Sequence, residues 1–160
     1  MRLALALLAA PAAAQSVAEC EPPPVTALLE PWEETTAVLG AGAIRVAAVE
    51  DEGGVALVVL TLPPVDGEAA EAPTGRRCRL VAEGGIGFAS LDVPGLVVAE
   101  DAEAATLTAR VPALRFVPES SELEEVTLRL TFGVADDSLE AAVETAEATG
   151  EAAGEATEAP

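Results

Sequence analysis

The residues able to do chemistry in this chain are few, and their types set narrow limits. Cys20 and Cys78 are its only two cysteines. An even pair of thiols in an oxidising compartment is most simply a disulfide. Closing a loop of about 60 residues stabilises a fold by roughly 4 kcal/mol in the chain-entropy treatment. Two other uses of these thiols fit less well. A lipidated cysteine wants a small residue before it, and Glu19 stands there. A redox pair is normally two residues apart, and here 57 residues intervene.

Most catalytic constellations fail for want of parts. The chain has no His, Lys, Tyr or Asn. Without His there is no Ser-His or Cys-His pair, and without Lys no Schiff base. Zinc and other transition metals want His or Cys ligands. Carboxylate and arginine chemistry remains. Asp51, Glu52, Asp92, Glu100, Asp101 and Glu103 fall in turns, where paired carboxylates could serve a glycosidase. One Trp and three Phe make a poor sugar platform, however. Calcium suits clustered oxygens better, and Glu50-Asp51-Glu52 and Glu100-Asp101-Ala102-Glu103 are the candidates. Neither has the spaced acidic loop of a dedicated calcium site, so a solvated acidic turn is the plainer reading. Gly84-Gly85-Ile86-Gly87 resembles a phosphate-binding loop, but strand-forming residues follow where a helix should open, which favours a turn. The sequence points to no cofactor and no metal.

Arg76, Arg77 and Arg79 bracket Cys78 in an otherwise acidic region. They could contact an anion or an acidic patch on a partner; internal pairing with neighbouring acids is the alternative. Trp32, between Pro31 and Glu33, could anchor a partner or cover one end of the core.

Charge is the loudest compositional signal, with 28 acidic residues against eight basic ones, a net −20. Such a surface repels nucleic acid and anionic lipid and favours a basic partner or a cation. Solvation alone also accounts for it.

The elements that must position these residues begin after an expected leader. Arg2, the apolar run from Leu3 to Ala10, Pro11 and Ala12-Ala13-Ala14 follow the order of a signal peptide, with cleavage expected near Ala14/Gln15. The run is too short to span a bilayer. The mature chain is therefore expected to be soluble and exported. Residue usage favouring GC-rich codons suggests a bacterial source and a periplasmic or secreted protein. Residues 15–135 read as one domain, and residues 136–160 as an acidic tail rich in Ala, Glu and Thr. That tail has too few large apolar groups to offset the entropy of ordering. Asp137 or Ser138 could cap a short helix through Ala146, with disorder beyond.

Within the domain the pattern is strand-like. Val17–Pro31 reads as irregular, with Pro22-Pro23-Pro24 as a stiff polyproline step, and Val25–Leu29 reads as a helical turn or an edge strand. Thr35–Leu39 follows. Ile44–Val49 and Val55–Leu62 make a hairpin around Asp51-Glu52-Gly53-Gly54. Val65–Gly75 is a polar loop. Arg77–Ala82, Phe88–Leu91, Leu96–Ala99, Thr106–Val111 and Leu114–Val117 come next, the last two separated by Pro112. Val126, Leu128, Leu130 and Phe132 alternate with Thr127, Arg129 and Thr131, one face apolar and one polar. About eight short strands without a helix period predict an all-β, antiparallel sandwich or barrel-like domain. The function expected is that of a non-catalytic binding or accessory protein engaging a basic partner, with a cation-binding protein and a carboxylate hydrolase as the other readings.

Overall fold

A computed structural model describes residues 15–20, 27–51, 53–62, 75–84, 87–118 and 120–145. The expected leader, the triple proline, the loop from Val65 to Thr74 and everything after Thr145 lie outside the described residues. The described chain is an all-β structure of two antiparallel sheets facing one another. No helix in it is long and apolar enough to cross a membrane.

The first sheet has the order β1-β5-β4-β3-β2. Its strands are β1 (Gln15–Glu19), β2 (Thr36–Leu39), β3 (Ile44–Asp51), β4 (Gly54–Thr61) and β5 (Arg77–Glu83). The single helical turn α1 (Trp32–Thr35) leads into β2. The second sheet is built on β8 (Thr106–Val117) and β9 (Glu122–Gly133), with β10 (Leu139–Thr145) outside β9. The other edge of β8 is shared by β6 (Ser90–Leu91) and β7 (Val97–Asp101), each pairing a different part of it. At one flank β1 and β10 lie against each other and join the sheets. At the opposite flank β2 and β7 are the edges left unpaired among the described residues.

Alternation decides which residues enter the core. Leu57 and Val59 of β4, Val81 of β5, Val111 of β8 and Leu128 and Leu130 of β9 are wholly buried between the sheets. A second, smaller cluster of Val49, Ala56, Val58, Cys78 and Ala82 covers the outer face of the first sheet. The disulfide between Cys20 and Cys78 sits there. It pins the end of β1 to β5, with the Cys20 amide donating to the Cys78 carbonyl at 3.0 Å. The Leu28–Val49 bridge carries the following stretch back onto this face.

Several sequence expectations need correction. The all-β antiparallel class holds, and the described residues form ten strands where about eight were expected. Val17–Glu19, expected to be irregular, lie in β1 (Gln15–Glu19). The hairpin of β3 and β4 turns on two residues, because Asp51 pairs with Gly54 inside the ladder. Thr106–Val111 and Leu114–Val117 are one strand that runs through Pro112. Proline has no N–H to offer a ladder. Here it sits at the gap between the part of β8 that pairs β7 and the part that pairs β6. Its carbonyl still accepts from the Asp92 amide at 2.8 Å.

The largest correction is at the C-terminus. The expected helix from Asp137 or Ser138 does not form, and the domain does not end at residue 135. Leu139–Thr145 is an antiparallel strand in full register with β9, from Leu139 opposite Phe132 to Thr145 opposite Val126. Leu139, Ala141 and Val143 pack on the core. Those three apolar groups at period two match one face of a sheet, and helix propensity in the Ala and Glu residues yields to that packing.

The stretch holding Gly84 and Gly87 works as a turn. Gly87 takes φ +81°, and a Cβ placed there would meet the Val55 carbonyl oxygen at 2.8 Å. That close approach lets Phe88 bridge to Val55 and cross from one sheet toward the other.

Candidate functional site

The strand pattern of β5 explains how an arginine comes to be inside the protein. Cys78, Leu80 and Ala82 face outward onto the second cluster, so Arg77, Arg79 and Val81 share the inward face. Val81 is core, and Arg79 lies between the sheets with its side chain 5% exposed. Its Nη2 donates to Asp137 Oδ1 at 2.6 Å and to Thr61 Oγ1 at 2.8 Å, and its Nη1 donates to the Asp137 carbonyl at 2.6 Å. Arg77, nearer the end of the strand and half exposed, donates through Nε to Glu19 at 2.9 Å and through Nη1 to Asp137 Oδ2 at 3.3 Å. The hydrogen bond to Glu19 pushes the Arg77 guanidinium up from its ordinary value and holds the Glu19 carboxyl below its own. Arg76 donates to the carbonyls of Gly42 and Ala43, both at 2.8 Å.

The three arginines singled out in the sequence thus come together at one end of the sandwich, and each is engaged within the chain. Asp137 belongs to the stretch expected to be tail. It occupies the turn between β9 and β10 at φ +53°, a region that Asp visits more readily than most residues. The preceding Asp136 accepts from the Ser138 amide at 3.0 Å. The Ser138 hydroxyl and that amide together hold the Asp136 carboxyl below the usual carboxylate range.

A cavity of about 590 Å³ opens at this same end, between the two sheets. Ile44, Leu62, Leu107, Phe132 and Val134 supply its apolar walls, and Thr61 and Asp137 lie on its floor. The turns β2–β3, β7–β8 and β9–β10 form its rim. Glu100 and Asp101 bring two carboxylates to that rim. Asp101 Oδ1 accepts from the amides of Glu103 and Ala104, both at 3.0 Å, and so fixes the β7–β8 turn. A concave apolar volume with a few fixed polar groups is the usual form of a ligand site. No sequence signal marked it, because its lining comes from strand ends far apart in the chain.

The remaining charges tie structure together. At the other end of the sandwich Arg115 pairs with Glu124 at 2.7 Å and with Glu83 at 3.2 Å, joining the two sheets. Both carboxylates, Glu124 foremost, push Arg115 up from its ordinary value. On the outer face of the second sheet Arg110 stands directly opposite Arg129 in the ladder. Like charges in such a pair destabilise. Glu144 of β10 pairs with both, at 3.4 Å and 2.7 Å respectively.

Among the described residues no group of three or more Asp, Glu, His or Cys side chains is placed to hold a metal ion; Glu52 lies outside them. Trp32 stands on α1, 60% exposed, with Glu33 and Glu34 beside it. It does not cover the core. No protein-family model, no curated protein and no solved structure matches the chain.

Proposed function

We propose that this protein is an exported, non-catalytic binding module, and that the cavity at the Arg79 end of its sandwich receives an apolar group carried by a positively charged partner. One observation carries this reading. An apolar cavity of about 590 Å³ is rimmed by carboxylates in a chain of net charge −20, while the arginines nearest to it are engaged by its own carboxylates and carbonyls. Burial of an apolar group supplies affinity, roughly 25 cal/mol per Å² removed from water. The acidic rim and the surrounding field supply selection for a cation and speed its approach. The disulfide and the absence of any membrane-spanning helix among the described residues suit an oxidising compartment. The leader-like residues 1–14 support export to the periplasm or beyond it.

The chemistry available supports a binder over an enzyme. A chain without His, Lys or Tyr has no nitrogen or phenolic base, and the carboxylate on the cavity floor is held by two guanidiniums. The test uses three probes with one alkyl chain and different heads, each below its micelle concentration: decyltrimethylammonium, decyl maltoside and decyl sulfate. Amide shifts at Leu107, Phe132 and Val134 are expected with the ammonium probe, at least tenfold weaker affinity with the maltoside, and none with the sulfate. Equal binding of the sulfate would overturn the charge selection, and binding of none would overturn the site.

A further inference from the structure

The free edge of the second sheet runs into the rim of this cavity. Among the described residues β7 pairs with β8 along one side only, and all five of its residues are exposed, Val97 by 65% and Val98 by 39%. A strand edge presents unpaired N–H and C=O groups, a template for another strand. Native edges are usually blunted by lysine, by proline or by a covering segment. The chain has no lysine, and β7 contains no proline. What stands on this edge is a pair of valines followed by Ala99, Glu100 and Asp101.

Register gives the strand two distinct sides. Val98 lies opposite Ala109 and Glu100 opposite Leu107, and both of those partners face the core. Val98 and Glu100 therefore share the inward side, with Glu100 at the cavity. Val97, Ala99 and Asp101 share the outward side.

We infer that β7 accepts an extended segment of a basic partner as an added strand, so that one of the segment's inward apolar side chains reaches the cavity while its outward basic side chains meet Asp101, with the Glu100 carboxylate adding to the field that attracts them. The inference rests on the reading above that the partner is basic. Main-chain hydrogen bonds would provide affinity, and alternate side chains specificity, as in other strand-addition complexes. Charge selects the occupant. An acidic segment is repelled by the two carboxylates and by the −20 chain behind them. A second copy of this chain brings the same charge. Its antiparallel pairing about Ala99 would set Val97 against Asp101 and Val98 against Glu100, apolar against acidic, with no complementary contact.

The test is amide hydrogen exchange and chemical shift on the exported chain from Gln15, with a capped heptapeptide of alternating valine and arginine as the probe. The expected result is at least tenfold slower exchange within Val97–Asp101 and at least tenfold weaker binding at 500 mM than at 50 mM salt. The valine–glutamate counterpart, and the arginine peptide N-methylated along one edge, should each bind at least tenfold more weakly. Glu100→Arg with Asp101→Arg should abolish binding. Because Asp101 also holds its turn, Glu100→Gln alone, which leaves that turn intact, should weaken binding several-fold. Equal binding of the N-methylated peptide, or binding without protection of β7, overturns strand addition. Concentration-dependent self-association that protects β7 overturns the choice of occupant. If decyltrimethylammonium occupies the cavity but the peptide leaves β7 unprotected, the cavity reading survives and strand addition fails. If the peptide protects β7 and the ammonium probe does not bind, strand addition survives and the cavity reading fails.

Discussion

Arg79 and Asp137 form an ion pair at 2.6 Å with both side chains more than nine-tenths buried, and it joins the first sheet to the β9–β10 turn of the second. Taking two charges out of water is costly, and good geometry with extra hydrogen bonds offsets that cost. Here Asp137 contributes both a carboxylate oxygen and its carbonyl, and Thr61 contributes a hydroxyl. The Arg79 Nε is buried without a partner, so the network is not fully satisfied.

Removing one member of this pair strands the other. Arg79→Met or Asp137→Ala alone should destabilise by about 3–5 kcal/mol. The double substitution Arg79→Met with Asp137→Ala should cost clearly less than the two single changes added together. Denaturant unfolding of the four proteins in a double-mutant cycle measures the coupling. Additive losses would mean that the pair is not the reason for the burial of Arg79.

The placement of β10 predicts the outcome of truncation. A chain ending at Ala135 loses Asp137 and the ladder with β9, and it exposes the Leu139 and Val143 contacts of the core. It should lose at least about 3 kcal/mol of stability and tend to aggregate through the bared edge of β9. A chain ending at Thr145 should melt within a few degrees of the intact protein. Thermal melts of the two truncations, with light scattering, decide this.

Cys20 and Cys78 close a long loop, with a sequence separation of 58. Replacing both by Ala should cost about 4 kcal/mol or less in the chain-entropy treatment. Guanidinium unfolding of the oxidised protein and of the double variant gives the difference. Intact mass without reductant should show no alkylation of the oxidised protein.

Glu19 predicts a pH dependence whose sign can be worked out. Arg77 holds the folded-state Glu19 carboxyl below its ordinary value. In acid the unfolded chain therefore takes up its proton first, and the folded state loses ground. The contribution is fully present above about pH 5 and disappears as pH falls through about 4 and below. The Glu19→Gln variant should melt below the parent at pH 7, with a gap that narrows as the pH is lowered from about 5 toward 3. Melting curves of both proteins across that range test this, and a gap that does not narrow would exclude it.

The cavity reading predicts that filling its mouth blocks binding without loss of fold. Val134 is largely exposed on the rim. Val134→Trp should leave the melting temperature within a few degrees and weaken decyltrimethylammonium at least tenfold. Calorimetric titration of variant and parent provides the measurement.

Much of the architecture was legible in the residues because its signals are local. The alternation of Val126, Leu128, Leu130 and Phe132 marks a half-buried strand, and the glycines after Asp51 mark the hairpin turn. Cys20 and Cys78, the only thiols, mark a disulfide. Where local signals conflicted with packing, packing decided. Pro112 reads as a strand break, yet a gap in edge pairing removes the need for its N–H. The Ala- and Glu-rich stretch after Ser138 reads as helix, yet Leu139, Ala141 and Val143 find one face of a sheet.

The sequence by itself determined the all-β class, the acidic surface, the disulfide pairing and the shortage of catalytic groups. Each depends on residue type or on spacing within a few positions. The tertiary structure alone decided that Arg79 points inward, that Asp137 is its buried counter-charge and that Glu144 pairs with both Arg110 and Arg129. It also decided that the ends of β4, β7 and β9 enclose a cavity. These are contacts between residues far apart in the chain, set by which strands pair and in which register. A shift of one residue in that register would turn every one of these side chains to the opposite face.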